Sequence, residues 1–457
     1  MHSTLATDLD AIPELTASAQ ALAVSFLGDI DSHPAARTPC KVPDETPQPH
    51  GVGAAVALER FRTKWLPHLS GSAGPRYLGF VVGGATPASL IGDWLTSAVD
   101  QNPTSNWDSE APNLERETVR ALSDWFGLSS HTGTFVSGAT MSNFVGLAIG
   151  REWIGRQRGV SISEDGLAAA GRIQILGAKP HSSIYKAVSM LGLGRSSVTL
   201  MPSLPGREAI DVAALEAALA ATGECIVTAS LGTVNSGDFD DLVAIAALKS
   251  KYSFWLHVDG AFGAFAALDP RLADKVAGLD AADSVCIDLH KWMNVPYDSA
   301  LQFTRHQDLQ VAVFQNAAAY LGDIGENPNS VHLTPENSRR WRALATWFAV
   351  QAYGKEGHAD IVTRNVNSAR KLSGLLAADS RFEVLAPVHL NIVVFAVIGT
   401  EDEASMHALL ARVTAAGEIF LTPTVFDGKW AIRAAFSNWR TEVSEVERIF
   451  QALASVL

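Results

Sequence analysis

Lys291 is the residue whose setting most clearly suits chemistry. It lies in residues 283–297, DSVCIDLHKWMNVPY, where the run 284–289 reads as a buried strand ending at His290 and Lys291. Asn294 and Pro296 then stop regular structure. An amine held at a strand tip, beside an aromatic and a histidine, is placed to form a Schiff base, a reaction that asks for a partly desolvated amine. A surface lysine at a strand end is the plainer reading of the same residues. Asp259, in WLHVDGAFGAF, closes a second short apolar run, 255–258. Gly260, Ala261 and Gly263 follow it and let a flat group approach the backbone. A carboxylate and an amine are therefore expected on one edge of one sheet.

Pyridoxal phosphate asks for this pair: a lysine takes its aldehyde, and an acid keeps the pyridine nitrogen protonated so that the ring accepts electrons. The elements HVDGAFGA and DLHKW, in this order and at this distance, resemble the group II pyridoxal-phosphate-dependent amino-acid decarboxylases, relatives of the aromatic amino acid and glutamate decarboxylases. The resemblance runs from near position 75 to the C-terminus and more weakly through the N-terminal part. It implies a homodimeric fold-type I enzyme that binds pyridoxal 5'-phosphate and converts an L-amino acid to an amine and carbon dioxide. Lys291 and Asp259 would hold the cofactor, with Asp288, His290 and Ala261 as neighbouring contacts. An aldehyde-forming oxidative decarboxylase, another carbon–carbon lyase, and an inert homologue acting as a binding subunit are the alternatives.

The same resemblance assigns further residues. In FVSGATMSN, small residues open a long helix whose free N–H groups and dipole form a phosphate cradle, with Ala139 and Thr140 as contacts and Asn143 as a further polar candidate. An ordinary helix cap is the simpler reading of that turn. His181, before the helix that Ser182 or Ser183 caps, matches a histidine that stacks on the pyridine ring. Thr233 falls in the loop that touches the ring hydroxyl, although Val234 competes for that register. Phe80 stands where glutamate decarboxylases carry a glutamine; with Val82 it points to an uncharged, apolar or aromatic substrate side chain. Arg433 in AIRAAFSN matches an arginine that binds the substrate carboxylate. Counting back from Arg339 and Arg340, the position of the family's proton-donating tyrosine falls near Ser330. Tyr320 lies at the base of that loop, and His332 is the candidate donor within it.

The elements that must carry these residues follow from pattern. The chain has 457 residues, 47% of them hydrophobic, enough for two or three domains. A net charge of −13 without basic runs argues against nucleic acid or anionic membrane as a partner. The amino-terminal residues lack the basic and apolar pattern of a signal peptide, and cytoplasm is the expected compartment. Cys40, Cys225 and Cys286 are scattered and are expected to be reduced thiols; no metal pattern occurs. Alternating strand and helix predicts an α/β fold, a mainly parallel seven-stranded sheet with helices on both faces. The expected divisions are an N-terminal helical arm for dimerisation (1–75), a large cofactor-binding domain (76–350) and a small α+β domain (351–457). Helices are expected over 13–30, 52–66 and 113–127, from Thr86 or Pro87, and from Thr334 or Pro335 with Trp341, Leu344 and Trp347 on one face. TEVSEVERIFQAL is expected to close the chain as a helix with a capping box.

Overall fold

The computed structural model describes residues 1–43, 49–316 and 324–457. Seven strands, β1 (Thr132–Val136), β2 (Ile175–Gly177), β3 (Val198–Leu200), β4 (Cys225–Ser230), β5 (Phe254–Asp259), β6 (Ser284–Ile287) and β7 (Ala300–Thr304), form one sheet. Their order is β1-β7-β6-β5-β4-β2-β3. All are parallel except β7, which runs against both neighbours, β1 and β6. The central strands β4 and β6 are buried along their whole length, as continuous apolar runs between two helical layers must be.

Helix Ala139–Gln157 lies across β5, β6 and β7. Its glycines allow that proximity: a Cβ on Gly146 would stand 2.7 Å from the His257 ring, and one on Gly150 2.7 Å from the Trp255 ring. The helix thus rests directly on the strand that ends in Asp259.

A second, antiparallel sheet, in the order β10-β11-β9-β8, comprises β8 (Phe382–Val384), β9 (Ile392–Val397), β10 (Thr422–Phe426) and β11 (Lys429–Ala435). Residues 77–84 join the two sheets. Leu78 exchanges backbone hydrogen bonds with Phe420 and Ala435 and packs in the apolar cluster of the second sheet. The chain then crosses to Lys291, where a Cβ on Gly83 would collide with the Lys291 carbonyl oxygen.

Helices span Ile12–Gly28, Pro87–Val99 with Thr86 as its cap, and Ala111–Trp125, close to expectation. The helix expected from Thr334 begins later, at Ala343, and runs to Ala377 with a break at Gly354. Ion pairs hold the intervening stretch irregular: Arg339 binds Glu115, Arg340 lies 2.7 Å from Asp93, and Arg342 lies 2.8 Å from Asp298. Position 350 falls inside this helix. The closing helix, Glu445–Ala454, has no side-chain cap; the capping box belongs to helix Glu403–Ala416, between Asp402 and Ser405. Cys225 and Cys286 are buried free thiols, whereas Cys40 is exposed. No described helix is long and apolar enough to cross a membrane.

Candidate active site

Asp259 is the last residue of β5, and its neighbour β6 ends at Ile287. The parallel register sets Asp259 opposite Cys286, so both strands deliver their C-terminal ends to one place. Lys291 is not at the strand tip itself. Asp288 precedes a single helical turn, Leu289–Trp292, without a side-chain cap bond to it, and Lys291 rises from that turn. A cavity of about 670 Å³ opens there, between the two sheets. Lys291, Asp259, His181, Ala139, Thr140 and Arg433 all line it, with Ala261, Asp288, His290, Thr233, Phe80 and Val82.

Lys291 Nζ lies 3.4 Å from Asp288 Oδ2 and 5.7 Å from the centre of the Phe262 ring. Asp288 is buried, which opposes its charge, yet Lys291 and His290 outweigh burial and keep its carboxyl below the usual range. His290 Nδ1 accepts from the Ser299 N–H at 3.2 Å, so its proton sits on Nε2, 3.2 Å from Asp288.

Asp259 is held from two sides: Asn143 Nδ2 donates to Oδ2 at 2.9 Å, and the Ala261 N–H donates to Oδ1 at 3.2 Å. Asn143 also donates to Ser183 Oγ at 3.0 Å. Ser183 in turn donates its N–H to His181 Nδ1 at 3.2 Å, leaving the His181 hydrogen on Nε2. Burial lowers the pKa of His181, partly offset by Asp259, so the ring is neutral at pH 7. Helix Ala139–Gln157 starts at Gly138 with no side-chain cap, and a Cβ on Gly138 would stand 3.3 Å from the His290 ring. An uncapped helix N-terminus in a cavity attracts an anion. Amine, carboxylate and anion cradle together fit the aldehyde, ring nitrogen and phosphate of pyridoxal phosphate.

Residues 56–398 match the family described as "Pyridoxal-dependent decarboxylase conserved domain". The chain belongs to the pyridoxal-dependent decarboxylase family. An aromatic-L-amino-acid decarboxylase of Bacillus atrophaeus is 26% identical over 401 residues, covering 84% of this chain and 81% of that one. The crystal structure of Oryza sativa TDC with PLP and tryptamine superposes with a TM-score of 0.90 at 22% identity, covering 98% and 97% of the two chains. The crystal structure of Rhodiola rosea 4-hydroxyphenylacetaldehyde synthase does so with a TM-score of 0.83 at 20% identity, covering 100% and 98%.

The remaining expected residues of this family member stand as follows. Asn143 does not line the cavity; it lies one turn inside the helix and serves Asp259 rather than the cradle. The Thr233 hydroxyl is turned into its own loop, donating to Glu208 at 2.6 Å and accepting from the Asp238 N–H at 3.0 Å, while Val234 also lines the cavity. Arg433 is buried in β11, and its Nε has no hydrogen-bond partner among the described residues. Burial pushes its pKa down to about 10, against the pull of Glu208, so it keeps its charge at neutral pH. His332, expected as the proton donor, is a correction: it is 2% exposed, accepts from the Asn316 N–H at 3.2 Å, and is absent from the lining of this cavity. Ser330 is likewise buried and donates to the Pro103 carbonyl at 2.9 Å, in a separate cavity. Tyr320 and Gly322 lie outside the described residues. Reading the sequence missed Tyr77, Phe262 and Tyr297, which also line the cavity. The Tyr297 ring lies 4.4 Å from that of His290, tilted by 40°, and its position in the Lys291 segment was the available signal.

Proposed function

We propose that this protein decarboxylates an L-amino acid with a neutral, apolar or aromatic side chain, releasing an amine and carbon dioxide. The observation that carries the reading is the convergence of Asp259, from the end of β5, and Lys291, from the turn after β6, on a cavity that also holds Arg433. When bound, pyridoxal phosphate supplies the electron sink that makes loss of the carboxylate feasible. Lys291 would be its covalent anchor, Asp259 would hold the ring nitrogen's proton, and His181 would lie against the ring. Thr140 would offer its N–H to the phosphate, with Ala139 and His290 beside it, while the Ala139 N–H meets the Asp288 carboxylate. Arg433 is the group suited to grip the substrate carboxylate, and the gripped bond is the one set for cleavage.

Phe80, with Tyr77 and Val82 beside it, supports the substrate class, because a side-chain carboxylate against these groups would be left unpaired. The decarboxylase of Bacillus atrophaeus, named for aromatic amino acids, supports the same choice. The reading includes a homodimer formed through the first 75 residues and their neighbours. Exposed Ile91, Trp94, Leu95 and Val99 share one side of helix Pro87–Val99, an apolar face that suits a second copy. It also keeps the division into an arm, a cofactor-binding part and a small α+β part.

A second reading, oxidative decarboxylation with deamination to an aldehyde, is favoured by one feature. Residues 324–342 contain no tyrosine, and His332 is buried away from the cavity. That route consumes dioxygen and water and releases ammonia and hydrogen peroxide with the aldehyde and carbon dioxide. The test is to incubate the pure protein and pyridoxal phosphate with each of the twenty amino acids, measuring carbon dioxide, amine, aldehyde and oxygen uptake. Amine from an aromatic or apolar amino acid is expected. Aldehyde with stoichiometric oxygen uptake would replace the first reading with the second, and no carbon dioxide from any of them would remove both.

A further inference from the structure

Behind Asp259, on the side away from the cavity, runs a chain of four buried hydrogen bonds whose direction is set at its near end, where the Asp259 carboxylate only accepts and so takes the Asn143 Nδ2 group. Trp255 Nε1 donates to Ser284 Oγ at 2.9 Å. An indole N–H can only donate, so the Ser284 oxygen accepts there and its own hydrogen is free for His257 Nδ1, 2.8 Å away. With Nδ1 accepting, the His257 hydrogen sits on Nε2 and points to Asn143 Oδ1 at 2.9 Å. It matches the other end of the Asn143 amide, whose Nδ2 group faces the Asp259 carboxylate at 2.9 Å. Trp255, Ser284, His257 and Asn143 are all 0% exposed, so no water substitutes for a missing member.

We propose that Trp255, Ser284 and His257 are positioning residues for cofactor binding, acting through Asn143 to lock Asp259 as an oriented acceptor for the ring nitrogen's proton. The proposal rests on the role given to Asp259 above. A flipped Asn143 amide would set its carbonyl oxygen against the Asp259 carboxylate, and a neutral histidine of fixed tautomer forbids that flip. Burial supports the fixed state by pushing the His257 pKa down to about 4, so the ring carries one hydrogen at neutral pH. Helix Ala139–Gln157 seals the chain, since Gly146 brings its backbone against the His257 ring. The same Asn143 amide group also donates to Ser183, whose N–H and hydroxyl meet His181 Nδ1. One relay therefore sets both the acid at the ring nitrogen and the imidazole on the ring face.

The test uses two probes on the full chain freed of cofactor: pyridoxal 5'-phosphate, and its 1-deaza analogue, in which C–H replaces the ring nitrogen. Dissociation constants are measured by equilibrium dialysis without substrate. The unaltered chain is expected to prefer the true cofactor by roughly tenfold or more, because only it offers Asp259 a proton. His257→Leu is expected to bring that preference close to one while leaving binding of the analogue unchanged. His257→Gln, whose amide N–H reaches the place of Nε2–H, is expected to restore it. Ser284→Ala, a gentler change should the leucine variant fail to fold, is expected to reduce it several-fold. In an Asp259→Asn chain, adding His257→Leu is expected to change nothing further. If His257→Leu or Ser284→Ala weakens both probes equally, or leaves the preference intact, the relay is only packing and the proposal falls alone. Equal binding of the two probes by the unaltered chain would instead remove the role of Asp259, and the relay with it.

Discussion

Lys291 and Asp259 carry the reading, and each makes a separate demand. Lys291→Ala removes the amine but no core contact, since the side chain is 21% exposed in the cavity. That variant is expected to lose the visible absorption of lysine-bound cofactor and to keep its far-ultraviolet circular dichroism; a coloured, active variant would remove the reading. Asp259→Asn replaces a carboxylate by an amide that cannot hold a ring proton. It is expected to weaken cofactor binding about tenfold and lower turnover about a hundredfold or more, measured by fluorescence titration and steady-state kinetics. Near-normal turnover there would make Asp259 merely structural. Arg433→Gln is expected to raise KM at least about tenfold with the visible absorption unchanged, because the substrate carboxylate loses its cation; a changed spectrum with unchanged KM would place Arg433 at the cofactor instead. These residues were legible in the sequence because their motifs are local. His332 was misplaced because whether a loop residue reaches the cavity is decided by how the loop packs, and its ring is turned to the Asn316 N–H instead.

The elements that deliver the site depend on glycines at close crossings. At Gly83 the backbone touches the Lys291 carbonyl, so Gly83→Ala forces apart the segment joining the sheets and the turn that holds Lys291. It is expected to cost about 1–3 kcal/mol of stability and to weaken cofactor binding, read by denaturant midpoint and titration. A variant with wild-type stability and affinity would show that the crossing relaxes freely. Strands β4, β5 and β6 were legible because burial between two helical layers leaves uninterrupted apolar runs. The late start of helix Ala343–Ala377 was not. Its apolar spacing extends back to Trp341, but Arg339, Arg340 and Arg342 meet acids from three remote segments, and those pairs outweigh local propensity.

Across the whole molecule, His257 links site and stability. Its folded pKa of about 4 lies below the ordinary 6.5, so the native state resists protonation while the unfolded chain does not. Its stabilising effect is complete above pH 6.5 and is lost as pH falls through 6.5 toward 4, about 3 kcal/mol over that window. Urea unfolding at steps from pH 7.5 to 4 is expected to show a stability slope that His257→Gln flattens by up to about 1.4 kcal/mol per pH unit. An unchanged slope would mean that His257 is protonated in the native state. Burial also lowers His131, His181 and His358, so part of the slope survives the substitution.

The sequence by itself determined the family, the cofactor, and the sheet that carries Lys291 and Asp259, because short motifs and apolar runs report chemistry and burial within a few residues. Only the tertiary structure decided that Lys291 rises from a helical turn behind Asp288, that Asn143 serves Asp259 rather than the cradle, and that Trp255, Ser284 and His257 stand in one directed chain behind it. The physical reason is that hydrogen-bond direction depends on which donors meet which acceptors, and these partners come from β5, β6 and a helix more than a hundred residues upstream.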